Sequence, residues 1–154
     1  VNTLSFSHDG QLLACGCADA TIHFIDIPSG KLEKLNQSGS TDELASVSNN
    51  QSKGHISEVR RICFHPLRSD EFASGGDDGL LFIWKRSNSA KDWSQLYRFE
   101  TKGIVQALRY DRQGDRLGVA TAKGQVRVFW FNETDLAGIA SERRNRTRFA
   151  SPPR

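Results

Sequence analysis

Three residues in the central part of the chain carry the side chains of a nucleophilic catalytic triad. Ser74 supplies a hydroxyl, His55 an imidazole and Asp78 a carboxylate. In a serine hydrolase the hydroxyl attacks, the imidazole takes its proton and the carboxylate orients the imidazole. A hydrolase is therefore one hypothesis for this chain, and the elements that position the three residues bear on it.

The stretch around them, residues 54–85, has the pattern of antiparallel β-strands. Its apolar runs at residues 59–64, 72–75 and 81–84 are separated by His65-Pro66 and by the turn Asp77-Asp78-Gly79. Strands joined by an Asp-Gly turn are antiparallel neighbours. The stretch therefore predicts three consecutive strands of one sheet.

Four polar residues of this stretch, His55, Ser74, Asp78 and Trp84, are expected to be buried together. Each can satisfy another, from indole N–H to hydroxyl, from hydroxyl to imidazole, and from imidazole N–H to carboxylate. Ser74 lies within a strand and not on an exposed elbow, and Trp84 is placed to occupy its hydroxyl. This favours a structural role for Ser74 over the role of a catalytic nucleophile. We therefore expect that the chain is not an enzyme.

At these residues the stretch resembles a WD40 repeat, the blade unit of a β-propeller. It has the Gly-His start at Gly54-His55, a middle that reads SGGDDG from Ser74, and the family's Trp at Trp84. Lys85 stands where the family's final Asp belongs. The resemblance implies four-stranded antiparallel blades and a platform on which other proteins assemble.

Two weaker copies of the pattern flank the central blade. In residues 1–35, Asp19 matches Asp78, but Cys15 and Ile25 replace the network's Ser and Trp. The copy that follows the central blade aligns with the first without a gap at a constant spacing of 104 residues, and places Lys123 and Phe129 at the network positions. Neither copy can form the polar network, so apolar packing must hold its strands.

The sequence thus predicts an all-β chain of WD40-type blades in an incomplete ring, with a flexible C-terminal tail. We divide it into a degenerate blade, a polar insertion loop, the best-matching blade, a second degenerate blade and an Arg-rich tail, at residues 1–35, 36–53, 54–100, 101–140 and 141–154. Propellers need about four to eight blades. The remaining blades are expected from a longer parent chain or from a second copy.

Composition and cysteine usage exclude several other classes. Hydrophobic residues make up 37% and charged residues 25% of the chain, as in ordinary globular domains. No apolar run approaches the roughly 20 residues of a membrane span, so we expect no membrane contact and a place inside the cell, in cytoplasm or nucleus. Cys15, Cys17 and Cys63 suggest neither a disulfide framework nor a metal site, and no cofactor motif is visible.

The positive charge is concentrated in the tail. The chain's formal net charge is +3, and five of its Arg lie in residues 141–154. RNA or ribonucleoprotein binding through the third blade and this tail is the alternative function, with the candidate contacts Arg143, Arg144, Arg146 and Arg148.

One tail residue also matches a modification motif. Ser151 has an Arg three residues before it, at Arg148, and a Pro two residues after it, at Pro153. This spacing resembles the sites read by phosphoserine adaptor proteins, where Arg side chains bind the phosphate.

The leading prediction for the whole chain is a non-catalytic protein-interaction scaffold within a larger multiprotein assembly.

Overall fold

The fold consists of β-strands joined by short turns. A computed structural model describes residues 1–35, 54–87 and 92–131, and these ranges hold no helix. The strands are β1 (Thr3–Phe6), β2 (Leu12–Gly16), β3 (Ile22–Asp26), β4 (Leu32–Lys34), β5 (Val59–Phe64), β6 (Glu71–Gly76), β7 (Leu80–Arg86), β8 (Trp93–Glu100), β9 (Val105–Tyr110), β10 (Arg116–Thr121) and β11 (Val126–Trp130). They form sheet 1 (β1–β4), sheet 2 (β5–β8) and sheet 3 (β9–β11), all antiparallel. The prediction of an all-β chain built of antiparallel blades is confirmed.

Sheets 1 and 3 repeat the same backbone. The second strand begins at Leu12 in sheet 1 and at Arg116 in sheet 3, the spacing of 104 residues seen in the sequence. The turns before these strands contain Gly10 and Gly114, with φ angles of 69° and 83°. Glycine adopts this left-handed conformation at little steric cost, so both turns can be tight.

The first strands of the three sheets lie side by side, with β5 next to both β1 and β9. Two side chains of β1 reach the backbone of β5. Ile62 donates its backbone N–H to Thr3 Oγ1 at 3.3 Å, and Phe64 donates to Ser5 Oγ at 3.1 Å. Backbone amides buried between sheets need such partners, so these hydrogen bonds help to fix sheet 1 on sheet 2.

Sheet 2 is buried on both faces. One face places Phe72, Phe82 and Trp84 in a core shared with sheet 1, where Phe24 stacks on Trp93 at a centroid distance of 4.9 Å. The other face belongs to a second core, which sheet 2 shares with sheet 3 and to which it contributes Ala73, Leu81 and Ile83. A strand covered on both faces reads as a continuous apolar run, which explains the sequence of β7.

Two glycines set the distance between neighbouring sheets. A Cβ atom on Gly16 would lie 2.7 Å from Cγ1 of Val59, and one on Gly75 would lie 2.5 Å from Cγ1 of Val105. Each glycine thus accepts the first residue of the next sheet's first strand. A larger residue at either position would push two sheets apart.

The outward faces of sheets 1 and 3 carry apolar side chains that no described residue covers. Leu4 and Phe6 are 58% and 60% exposed on sheet 1, and Val126 and Trp130 are 64% and 55% exposed on sheet 3. In the part of the chain that the structure describes, the three sheets do not close into a ring. That part also contains no helix able to cross a membrane.

Several sequence predictions concern residues outside the described ranges. These are the insertion loop at residues 36–53, the continuation of the third blade to residue 140, and the tail at residues 141–154. They stay predictions.

Candidate functional site

The four polar residues singled out in the sequence come from four parts of sheet 2. His55 lies in the segment before β5, Ser74 in the middle of β6, Asp78 in the turn between β6 and β7, and Trp84 in β7. Because β6 and β7 are antiparallel neighbours, the turn between them returns the chain beside β6. The fold therefore brings all four side chains together.

The four side chains form a continuous chain of hydrogen bonds. Trp84 Nε1 donates to Ser74 Oγ at 2.8 Å, and Ser74 Oγ lies 2.8 Å from His55 Nε2. His55 Nδ1 lies 2.9 Å from Asp78 Oδ2. Indole can only donate, so Ser74 Oγ accepts from Trp84, and a carboxylate can only accept, so His55 donates from Nδ1 to Asp78. With the ring hydrogen on Nδ1, His55 Nε2 accepts the hydroxyl hydrogen of Ser74.

Asp78 also holds the turn in which it lies. Its Oδ1 accepts the backbone N–H of Leu80 at 3.0 Å, and its Oδ2 accepts that of Ile56 at 3.1 Å. Burial by itself raises the pKa of this carboxyl, but the hydrogen bond and charge of His55, together with the two amides, outweigh burial and leave the pKa below its ordinary value. Asp78 is thus kept ionised as the anchor of the network.

The geometry leaves no path to a nucleophile. Ser74 is 0% exposed, and the side chains of His55 and Asp78 are each 1% exposed. A single added Cβ at Gly76 would lie 2.9 Å from His55 Nδ1, so even a methyl group does not fit beside the imidazole. Ser74, His55 and Asp78 are therefore hydrogen-bonded as in a hydrolase, but they are enclosed by the fold. This arrangement can stabilise the sheet and does not admit a substrate.

Sheets 1 and 3 replace the network by apolar packing, with one local polar chain. Thr21 Oγ1 donates to Asp19 Oδ1 at 2.5 Å, and His23 Nε2 lies 3.1 Å from the same hydroxyl. Hydrogen bonding by Thr21 lowers the pKa of Asp19. Asp19 thus serves its own exposed turn and does not reach the position that Trp84 fills in sheet 2.

The sequence did not reveal the partner of the neighbouring carboxylate, Asp77. Arg60 Nη2 donates to Asp77 Oδ2 at 2.9 Å, and Arg60 Nε donates to the other oxygen, so the pair is bidentate. The hydrogen bond from Arg60 lowers the pKa of Asp77 and raises that of Arg60. Two adjacent carboxylates thus serve two separate structural contacts and do not form an acid/base pair.

A second polar cluster that the sequence did not reveal lies at the opposite edge of sheets 2 and 3. Glu71, only 4% exposed, accepts from Arg68 Nη1 at 3.1 Å and from Tyr110 Oη at 3.3 Å. Burial, and then the charge of Glu71, raise the pKa of Tyr110 well above its ordinary value. The buried carboxylate thus joins the loop after β5 to strand β9.

His65 completes this second cluster. Its Nδ1 accepts the backbone N–H of Leu67 at 3.1 Å, so the neutral ring carries its hydrogen on Nε2. The ring lies 5.1 Å from that of Tyr110, and a side chain at Gly114 would overlap it. Burial lowers the pKa of His65. The imidazole is thus packed, in its neutral form, between sheet 2 and the β9–β10 turn.

The residues proposed for nucleic-acid or adaptor binding are only partly described. Arg143, Arg144, Arg146, Arg148 and Ser151 lie outside the described ranges. In sheet 3, Arg116 packs over Trp130 with its guanidinium 4.5 Å from the ring, and Arg127 donates to the backbone oxygen of Glu100 at 3.1 Å. RNA binding and phosphoserine recognition stay predictions. Within the described ranges, no three His, Cys, Asp or Glu side chains are grouped as metal ligands would be.

Antiparallel sheets lie side by side, two of four strands and one of three in the described residues, and the central sheet holds a buried Asp-His-Ser-Trp chain. This is the architecture of WD40-type propeller blades. Two family patterns match accordingly. Residues 1–48 match the anaphase-promoting complex subunit 4 WD40 domain, and residues 46–85 match the WD domain, G-beta repeat. Together these WD40 patterns cover residues 1–85, and the resemblance read from the central stretch is confirmed.

Three curated proteins that are similar to this chain are longer than it. The mitotic checkpoint protein bub-3 of Caenorhabditis elegans is 37% identical over 67 residues, which cover 44% of this chain and 18% of that protein. The DDB1- and CUL4-associated factor 11 homolog of Caenorhabditis briggsae is 27% identical over 128 residues, 81% of this chain and 20% of the relative. The gastrulation defective protein 1 homolog of Drosophila melanogaster is 20% identical over 133 residues, 84% of this chain and 20% of the relative. The chain spans about a fifth of the length of these relatives.

Proposed function

We propose that this chain is a non-catalytic protein-interaction scaffold, a section of a WD40 propeller that works inside the cell within a larger multiprotein assembly. Its similarity to the DDB1- and CUL4-associated factor 11 homolog, whose name describes association with other proteins, supports a binding role. The free thiols of Cys15, Cys17 and Cys63 are compatible with the reducing interior of a cell.

The observation that carries the proposal is the closure of the polar chain in sheet 2. The hydroxyl of Ser74 accepts a hydrogen bond from Trp84 and donates one to His55. The hydroxyl that could serve as a nucleophile thus takes part in hydrogen bonds that stabilise the blade. A rigid blade with exposed loops is suited to binding other proteins.

The uncovered faces support the view that these blades belong to a larger propeller. Leu4 and Phe6 of sheet 1 stand at the positions of Leu108 and Tyr110 in sheet 3, by the 104-residue spacing. In sheet 3 these two residues are buried against sheet 2, whereas in sheet 1 they are exposed. A further blade, supplied by the parent chain or by a second copy, would cover the face of sheet 1 in the same way.

Purification of the intact parent protein tests the scaffold role. Tandem affinity capture followed by size-exclusion chromatography should recover partner proteins in fixed stoichiometry, and a Ser74→Ala variant that still folds should recover the same set. A parent that elutes alone would contradict the proposal.

Labelling with a serine-reactive fluorophosphonate tests the absence of catalysis. We expect no labelling of the folded chain at Ser74. Labelling that disappears in Ser74→Ala, while the variant keeps its fold by circular dichroism, would establish a nucleophile and overturn the assignment.

A further inference from the structure

Sheets 2 and 3 border an open groove on the face that carries the network's turn. Its walls are the β6–β7 turn with Asp78, the β8–β9 connection with Lys102, and the β10–β11 turn with Lys123. Backbone hydrogen bonds join the three walls to one another. Thr101 donates its backbone N–H to the Gly79 oxygen at 2.8 Å, and Ala122 donates to the Ile104 oxygen at 2.9 Å. The three loops are therefore fixed relative to one another before any partner arrives.

The carboxylates at one wall are already engaged by other groups. Asp78 is bound by His55 and by two backbone amides, and its side chain is 1% exposed. Asp77 forms the bidentate pair with Arg60, whose guanidinium balances its charge. Neither residue presents a free carboxylate to an approaching partner.

The charges that remain toward solvent are mostly positive. Lys102 and Lys123 are exposed, and in the described part of the chain neither forms an ion pair with a carboxylate. Arg98 adds a third cation, which lies 3.5 Å from the carboxylate of Glu100. Glu100 is 70% exposed, and Arg127 brings a further guanidinium to its backbone oxygen. The groove lining thus combines one strongly exposed carboxylate, that of Glu100, with the cations of Arg98, Lys102 and Lys123.

Two apolar side chains complete the lining. Ile56 is 74% exposed and Ile104 is 36% exposed, and both border the groove. Cations beside exposed isoleucines suit a polypeptide that carries both carboxylates and apolar side chains. A nucleic-acid strand would call for aromatic side chains to stack its bases, and among the described residues that line the groove none is aromatic.

We propose that this groove binds an acidic, extended segment of a partner protein, with carboxylates at Lys102 and Lys123 and an apolar side chain against Ile56 and Ile104. The inference rests on the proposed scaffold function and specifies one contact of it. Electrostatic attraction of this kind speeds association and weakens as salt rises.

Fluorescence anisotropy on the complete 154-residue chain tests the proposal, with a fluorescein-labelled dodecapeptide of alternating Glu and Leu as the probe. The double reversal Lys102→Glu/Lys123→Glu should weaken binding about tenfold or more at low salt. The matched control reverses two exposed cations away from the groove, Lys34→Glu/Arg112→Glu, and removes the same total charge. The control should bind within about twofold of the parent chain.

Each other result overturns the proposal. Equal weakening by both double variants would assign the binding to net charge, including that of the Arg-rich tail. No effect of the groove variant would place the contact elsewhere. If a labelled oligouridylate bound more tightly than the peptide and lost affinity in the groove variant alone, the groove would be a nucleic-acid site. Failure here leaves the scaffold role standing, because the recovery of stoichiometric partners tests that role separately.

Discussion

The indole nitrogen of Trp84 lies 2.8 Å from the hydroxyl oxygen of Ser74, and this hydrogen bond joins the middle of β7 to the middle of β6 beneath the turn that connects them. Through Ser74 the indole is linked to His55, and through His55 to Asp78. A strand pair, a turn and the segment before β5 are thus fixed by one set of donors and acceptors. Ser74, His55 and Asp78 are linked in the order of a catalytic triad, but the hydroxyl also accepts from Trp84 and all three side chains are buried.

Removal of the imidazole at this point should destabilise the chain. In His55→Ala, Ser74 loses its acceptor and Asp78 its side-chain donor, both in the interior, at about 1–3 kcal/mol for each unsatisfied group. Denaturant titration of the complete propeller measures the loss. His8, which is exposed, supplies the control, since His8→Ala should stay within about 0.5 kcal/mol of the parent. If both variants had the same free energy of unfolding, the network would carry no net stability.

The contact between Gly75 and the next sheet should be equally sensitive. Gly75→Ala would place a methyl group 2.5 Å from Cγ1 of Val105, and overpacking of this kind costs about 1–3 kcal/mol. Gly118→Ala is the control, because its added methyl would find no atom nearer than 3.7 Å. The double variant Gly75→Ala/Val105→Ala measures whether removing the obstructing valine methyls reduces the penalty of the Gly75 change. Penalties that simply add would show that the two residues do not press on each other.

Ala20 is strained where its counterparts are glycines. It has a φ angle of 68°, whereas Gly79 and Gly124 stand at the equivalent turns with φ angles of 69° and 73°. The left-handed conformation costs a residue with a Cβ about 1–2 kcal/mol, part of which the entropy of glycine offsets. Ala20→Gly should therefore stabilise the chain by about 0.5–1 kcal/mol, and Gly79→Ala should destabilise it. Thermal unfolding of both variants measures these changes in stability. A loss of stability in Ala20→Gly would show that the conformation of Ala20 is not strained.

Local patterns in the sequence were sufficient for the strands and for the network in sheet 2. Strand β8 ends at Glu100, the last residue of the predicted central blade, and β10 and β11 begin where the 104-residue spacing places them. These elements depend on periodicity and turn residues within a short stretch. The hydrogen-bonded pairs among His55, Ser74, Asp78 and Trp84 could be predicted because all four residues stand at positions of the WD40 pattern.

The contacts that the sequence did not reveal all cross between elements whose register it does not specify. Arg60 faces Asp77 because the pairing of β5 with β6 shifts between Val59 and Arg61, and no local signal marks such a bulge. Glu71 is buried because Tyr110, in another sheet, reaches its carboxylate. A Glu in a strand is usually solvent-exposed, so the burial of Glu71 depends on the packing of one sheet on the next.

The cluster around His65 makes the joint between sheets 2 and 3 sensitive to acid. Burial holds the pKa of His65 below its ordinary 6.5, so the unfolded chain takes up a proton at a pH where the folded chain does not. By linkage, the full contribution of this group to stability is present above about pH 6.5, and it falls as the pH drops toward the folded-state pKa. The nearby carboxylates Glu71 and Asp70 act against this trend, while Arg68 reinforces it, and burial prevails.

The free energy of unfolding is measured between about pH 7.5 and about pH 5 for the parent chain and for His65→Gln. The quantity compared is the slope of this free energy against pH and not its absolute value. Glutamine keeps an acceptor near the Leu67 amide but does not titrate over this range, so the variant's slope should be shallower. Asp78 does not confound the comparison, because its lowered pKa confines its own effect to pH values below about 4. Equal slopes in the two proteins would show that protonation of His65 is not what weakens the joint.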